Sequence, residues 1–192
     1  MGNLTVANQL TILRIVLVPV FVLLVVYGQL GWALVAFLVA GITDALDGLI
    51  ARRAGQRTQL GAWLDPLADK LLLVTTFVVL TLPGIPLVNH LPIWLTVFVI
   101  SRDVVIVGVV AIVNLALGPR TFTPSSWGKL ATATYVVTSV VVMYFNYRRE
   151  EAAVIDVFIW ASLGITVVSA VDYFIKLHRL INEPAPPAQT AG

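Results

Sequence analysis

Six apolar runs, each long enough to cross a bilayer as a helix, dominate this sequence. They cover roughly Asn8–Tyr27, Gly31–Ala54, Gly61–Leu82, Pro92–Ala116, Ser126–Phe145 and Val154–Leu177. About 20 mostly apolar residues suffice for a transmembrane helix. The breaks between the runs hold turn formers: Gly28 and Gly31, Pro83 and Gly84 with Pro86, and Gly118 and Pro119 with Pro124. Composition agrees, since 59% of the 192 residues are hydrophobic and only 11% are charged, against about a quarter charged in a soluble domain. The expectation is an all-α polytopic membrane protein with six transmembrane helices. A single domain is expected over residues 1–181, followed by a disordered Pro- and Ala-rich tail at 182–192. With no cysteine in the chain, disulfides and thiol chemistry are excluded.

The basic residues orient the bundle. Six spans put both ends of the chain on one side, with Arg14, Arg52, Arg53, Arg57, Lys70, Arg120, Lys129, Lys176 and Arg179. The other side holds Arg148 and Arg149, offset by Glu150 and Glu151. Both termini are therefore expected in the cytoplasm, in the inner or cell membrane of a bacterium. The first run lacks a small-residue cleavage site and is read as a retained helix. A net charge of +2 gives no reason to expect a nucleic-acid partner.

One cytoplasm-facing stretch is out of keeping with so oily a chain. "ITDALDGLIARRAGQRTQLGAWLDPLADK", residues 42–70, carries Asp44, Asp47, Asp65 and Asp69. Asp44 and Asp47 are spaced i, i+3 near the end of the second run, and Asp65 and Asp69 i, i+4 near the start of the third. Each pair shares a helix face, and the short link between the runs makes the two helices antiparallel neighbours. Four converging carboxylates repel unless neutralised. Hard divalent cations such as Mg²⁺ or Mn²⁺ suit them, and two ions would roughly balance the charge and leave positions open for a diphosphate. Gly48, Ala51 and Gly61 leave room for a ligand lying along the helices, and Arg52 adds a fixed cation suited to phosphate. The spacing leaves two other readings open. The carboxylates could line a cation route, as in a transporter, or form structural ion pairs with Arg52, Arg53 and Lys70. Small residues also mediate helix packing.

The full pattern, D-x2-D-G-x2-A-R-x8-G-x3-D-x3-D from Asp44 to Asp69, resembles the signature of the CDP-alcohol phosphatidyltransferases at every fixed position. That family has a six-helix membrane fold, so the resemblance extends over nearly the whole chain except the tail. It implies transfer of a phosphatidyl group from CDP-diacylglycerol to an alcohol acceptor, with release of CMP. It further implies that Asp44, Asp47 and Asp65 ligate Mg²⁺ or Mn²⁺, two ions in all. Asp69 would complete the metal site and act as the catalytic base on the acceptor hydroxyl. Asp44, Gly48, Ala51, Arg52, Gly61 and Asp65 would contact the CDP-lipid. "NQLTILR", Asn8 to Arg14, resembles the family's first-helix segment, with Ala7 where proline is common. Asn8 would then join the CDP-lipid site, with Thr11 and Arg14 toward the same cavity. A helix start with an interfacial arginine is the plainer reading of that segment. Homodimers are usual in the family.

The acceptor is less sharply written. "TPSSWGKLATATY" opens the fifth run with Ser125, Ser126 and Lys129. Hydroxyls and a lysine at a helix start suit a phosphate, and hence glycerol 3-phosphate. Gly128, Lys129 and Thr132 resemble a stretch of phosphatidylglycerophosphate synthases, although Ala131 replaces a lysine and Tyr135 a glutamine there. Lys129 could instead snorkel to anionic headgroups. Arg102 and Asp103 lie near the middle of the fourth run, so they should face the bundle or an aqueous cavity. Arg102 is an acceptor candidate, and a structural ion pair with Asp103 is the alternative. "SRDVVIVG" resembles the CDP-alcohol type of cardiolipin synthase, whose acceptor is phosphatidylglycerol. Asp172 and Lys176 form an i, i+4 pair, and Trp32, Trp94 and Tyr147 read as interfacial anchors.

Overall fold

The computed structural model describes the backbone of residues 6–54, 59–117 and 125–182, and side chains within residues 11–43, 70–115 and 125–178. The described residues form helices α1 (Val6–Val26), α2 (Leu30–Ala54), α3 (Gln59–Thr81), α4 (Ile93–Leu117), α5 (Ser126–Arg148) and α6 (Val154–Asn182). Six apolar runs therefore become six helices, with ends shifted by a few residues. The largest shift is at α6, which continues past Leu177 to Asn182, so the expected domain boundary falls at its last turn. The tail beyond it lies outside the described residues.

This is an all-α membrane protein. Among the described residues, three segments are long and apolar enough to cross a membrane: Ile93–Val113, Ser126–Arg148 and Val154–His178. Shorter apolar stretches, Thr11–Val26, Leu30–Thr43 and Lys70–Thr81, lie in α1, α2 and α3. The distribution of side chains is inverted relative to a soluble bundle. Leu23, Trp32, Ile93, Val97, Phe98, Val104, Ile112, Trp160 and Phe174 are exposed, while Thr11, Arg14, Thr76, Thr96, Thr138, Ser139, Asn146, Ser162, Thr166 and Ser169 are buried. Lipid tails are as apolar as the core, so outward apolar residues cost nothing there and polar groups gain by turning inward to find partners.

Helix α1 packs on α2 and α3, α3 also meets α4 and α5, α2 meets α5, and α6 lies against α4 and α5. Ala33, Ala36 and Ala40 give α2 a buried small-residue seam, which lets neighbouring backbones approach. Phe21 of α1 meets Phe37 of α2 with ring centroids 6.1 Å apart, and Phe77 of α3 meets Tyr135 of α5 edge-on at 5.7 Å. Polar rivets join the helices as well. Thr138 and Ser162 hydroxyls lie 2.8 Å apart, Tyr135 and Thr166 2.6 Å, and Thr81 and Thr96 2.6 Å.

The short connections alternate the helix directions and divide the molecule into two ends. The end opposite the aspartates is closed by neutral hydrogen bonds. Gly28, at φ +73°, makes the turn from α1 to α2 in a conformation that favours glycine. Asn146 of α5 accepts from the backbone N–H groups of Val88 and Asn89, both at 2.8 Å. Its amide donates to the carbonyls of Asn89 and Val142, both at 2.9 Å. All four of its hydrogen-bonding positions are thus filled. Arg149 ends α5 in the left-handed conformation, and the N–H groups of Arg149 and Glu150 return to the carbonyls of Asn146 and Phe145 at 3.1 Å each. Trp32 and Tyr147 are exposed at this end, as expected of interfacial anchors.

Candidate active site

The eight specified motif positions lie on two helices. Asp44, Asp47, Gly48, Ala51 and Arg52 belong to α2, and Gly61, Asp65 and Asp69 to α3, with residues 55–58 between the helices. The i, i+3 and i, i+4 spacings therefore fall on helical backbone, so each pair occupies positions on one helix face. Side chains of residues 44–69 lie outside the described residues, as does that of Asn8, whose backbone is in α1. Among the described residues, no three His, Asp or Glu side chains converge on a metal position. The donor set expected to hold a cation lies in the other segment, and its chemistry fits: four carboxylate oxygen donors suit a hard divalent ion.

The helices that carry that segment have described neighbours on α1 and α4. Helix α1 packs against both α2 and α3. Near its start Thr11 and Arg14 are buried, with Arg14 at 0% exposure. An arginine this enclosed is not a snorkelling anchor, so the burial favours the inward reading of the NQLTILR segment over the interfacial one. Lys70 directly follows Asp69, and its ammonium pairs with Oδ2 of Asp103 on α4. Asp103 also takes Nη1 of Arg102 through its Oδ1 at 2.6 Å. Both α4 residues turn inward, with side chains 7% and 14% exposed, whereas Lys70 is half exposed. Mid-span charges thus face the bundle, and the Arg102–Asp103 pair extends into a triad that carries one net positive charge.

Arg102 reaches further across the bundle. Its Nη2 donates to Ser169 Oγ on α6, and its guanidinium lies 5.6 Å from the ring centroid of Tyr173. A Cβ built on Gly128 of α5 would stand 3.3 Å from both Arg102 Nη2 and the Tyr173 ring. Lys70, Arg102, Gly128, Ser169 and Tyr173 therefore converge from α3, α4, α5 and α6.

The four acceptor candidates divide into two groups. Arg102 and Ser125 are enclosed, while Ser126 and Lys129 are exposed. Helical spacing explains the split: Ser125 and Gly128 share the face turned toward α6, and Ser126 and Lys129 lie on the adjoining face. Ser125 is the N-cap of α5, yet its hydroxyl caps no N–H of its own helix. It donates instead to Asp172 of α6, which also pairs with Lys176 at 3.0 Å. The expected Asp172–Lys176 pair is present, and Ser125 ties it to the start of α5.

Ser169 and Tyr173 are additions that sequence reading overlooked. A signal for them existed: Ser162, Thr166, Ser169 and Tyr173 recur every three or four residues along an otherwise oily α6, which marks one polar stripe.

A family model described as CDP-alcohol phosphatidyltransferase matches residues 4–168, a range that includes α1 through the first half of α6. The chain belongs to the CDP-alcohol phosphatidyltransferases. It is 37% identical over 183 residues to a probable phosphatidylglycerophosphate synthase of Mycobacterium tuberculosis, covering 90% of this chain and 81% of the relative. It is 31% identical over 188 residues to a CMP-forming cardiolipin synthase of Streptomyces coelicolor, with 93% and 85% covered. The CMP-forming cardiolipin synthase of Homo sapiens is 36% identical over 169 residues, with 88% of this chain but 53% of that protein covered. CDP-alcohol phosphatidyltransferases are enzymes of phospholipid synthesis that act with divalent metal ions on a CDP-alcohol and an alcohol acceptor. A transporter is thereby replaced as the reading of this chain.

Proposed function

We propose that this CDP-alcohol phosphatidyltransferase moves a phosphatidyl group from CDP-diacylglycerol to glycerol 3-phosphate, releasing CMP. The observation that carries the donor half is the complete eight-position motif on two consecutive helices. Asp44, Asp47, Asp65 and Asp69 hold Mg²⁺ or Mn²⁺, two ions in all, which when bound neutralise the diphosphate and the departing CMP. Asn8, Asp44, Gly48, Ala51, Arg52, Gly61 and Asp65 seat the CDP-lipid. The glycines let its polar part approach the helices, and the acyl chains stay in the bilayer. Asp69 accepts the proton of the acceptor hydroxyl. The hydroxyl oxygen bonds to the lipid-side phosphorus as the bond from that phosphorus to the CMP oxygen breaks. Arg102, Ser125, Ser126 and Lys129 form the acceptor side, with Ser125 acting from the wall against α6.

The chemistry runs on the cytoplasmic face, where both termini also lie. The excess of Lys and Arg at the motif end supports this orientation. A phosphorylated acceptor is supported by the positive triad in which Lys70, the residue after Asp69, joins Arg102 and Asp103 of α4, and glycerol 3-phosphate by the likeness to the Mycobacterium relative. The cardiolipin synthases among the relatives, together with the Arg102–Asp103 sequence, favour phosphatidylglycerol as the second reading. One assay separates them. Purified enzyme is given CDP-diacylglycerol and Mg²⁺ with either glycerol 3-phosphate or phosphatidylglycerol. CMP release with the first alone supports the proposal, and release with phosphatidylglycerol alone supports the second reading. No CMP with either would remove both acceptors. Chelation by EDTA should stop release, and restored Mg²⁺ should return it.

A further inference from the structure

Arginine recognises phosphate through a rigid planar fork of N–H groups, and the value of that fork depends on its plane being set before the ligand arrives. Arg102 is held on several sides. Asp103 takes Nη1 at 2.6 Å and Ser169 accepts from Nη2. The Tyr173 ring covers the cation with its centroid 5.6 Å away, within the range of a cation–π contact. Gly128 borders the same guanidinium and ring, and even a methyl group there would crowd both at 3.3 Å. Nε is buried and meets no hydrogen-bond partner among the described residues. A guanidinium has five N–H donors, so this clamp sets the plane while using only part of the donor capacity.

We infer that Ser169 and Tyr173 of α6 are positioning residues that set the Arg102 guanidinium for the phosphate of the acceptor, with Gly128 leaving room for the guanidinium and the ring themselves. The inference rests on Arg102 being an acceptor contact, as proposed above, and extends that site to a helix outside the motif. Asp103 completes the device. By holding both Arg102 and Lys70, it keeps two cations from α3 and α4 together while leaving the group one positive charge in excess. Both acceptors considered above carry a phosphate, so the clamp serves either.

The test is steady-state kinetics on the full-length enzyme with Mg²⁺, titrating whichever acceptor turns over at saturating CDP-diacylglycerol, and then the donor at saturating acceptor. Tyr173→Leu removes the ring and should raise the acceptor KM about tenfold, the size of a desolvated cation–π contact. Ser169→Ala removes one charged hydrogen bond and should raise it about tenfold as well. Tyr173→Phe keeps the ring and should stay within about twofold of the parent. The donor KM and the thermal midpoint should not move in any of the three. Ser169→Ala takes away a single oxygen, so it carries the test even if Tyr173→Leu does not fold. Arg102→Ala separates the two levels of the argument. If it leaves the acceptor KM unchanged, Arg102 is no acceptor contact, and the reading beneath the inference fails with it. If Arg102→Ala raises that KM but Ser169→Ala and Tyr173→Leu do not, the positioning role alone is overturned. Parallel rises in both KM values would likewise overturn it, because a merely structural defect does not select the acceptor.

Discussion

The two ends of this bundle are closed by opposite kinds of chemistry. At the end away from the motif, Asn146 makes four neutral hydrogen bonds, three to the α3–α4 connection and one to Val142 within α5, with every donor and acceptor of its amide used. At the motif end, Lys70, Arg102 and Asp103 form a charged group with one cation in excess and a buried Arg102 Nε without a partner among the described residues. A fully satisfied polar cluster gives rigidity and has nothing left to offer a ligand. A partly satisfied charged cluster costs stability and keeps donors for a ligand. If the site lies as proposed, substitutions at the two ends should affect different measurements.

The largest expected effect is at the motif end. Asp69→Asn should lower CMP release on the order of 10²–10⁴-fold by removing the base, while the folded fraction and melting temperature stay near the parent. Turnover at the parental rate would remove Asp69 as the base and weaken the contrast between the ends. Asn146→Leu should do the reverse. It orphans the N–H groups of Val88 and Asn89 and should lower stability by about 2–4 kcal/mol, read as a fall in melting temperature, with both KM values unchanged for the protein that remains folded. A shift confined to the acceptor KM would show that the two ends are coupled.

Smaller changes sharpen the same contrast. A Cβ on Gly31 would stand 2.9 Å from the Tyr147 ring, which is partly exposed and able to swing away. Gly31→Ala should therefore cost only about 1 kcal/mol, with no kinetic effect. Glu150→Gln breaks an exposed pair with Arg148, 2.9 Å long. Pairs so open to water contribute little, so neither melting temperature nor turnover should change measurably.

Much of this was legible in the chain of residues. Apolar runs of spanning length located all six helices, and Gly28, Gly84 and the prolines located the breaks, because helix ends are local events. The motif was legible because it lies within 26 consecutive positions, 44–69, on two adjoining helices. Burial of Arg102 and Asp103 was also foreseeable, since charges at mid-span have no tolerable place facing lipid. The faces along which the helices meet were less visible. Lipid and protein core are both apolar, so hydrophobic periodicity says little about which side of α4 or α6 packs inward. Ser169 and Tyr173 lie 67 and 71 positions from Arg102, and Ser125 carries an ordinary N-cap signature while bonding to Asp172.

By itself, the sequence determined the number of helices, where they break and the family motif, since each of these follows from neighbours along the chain and from the cost of placing charge in oil. Only the tertiary structure decided which helix faces close on Arg102, which hydroxyls hold it, and how Asp103 is shared between two cations. Those outcomes depend on packing among segments far apart in sequence, where a polar side chain takes whichever buried partner the assembled bundle brings within reach.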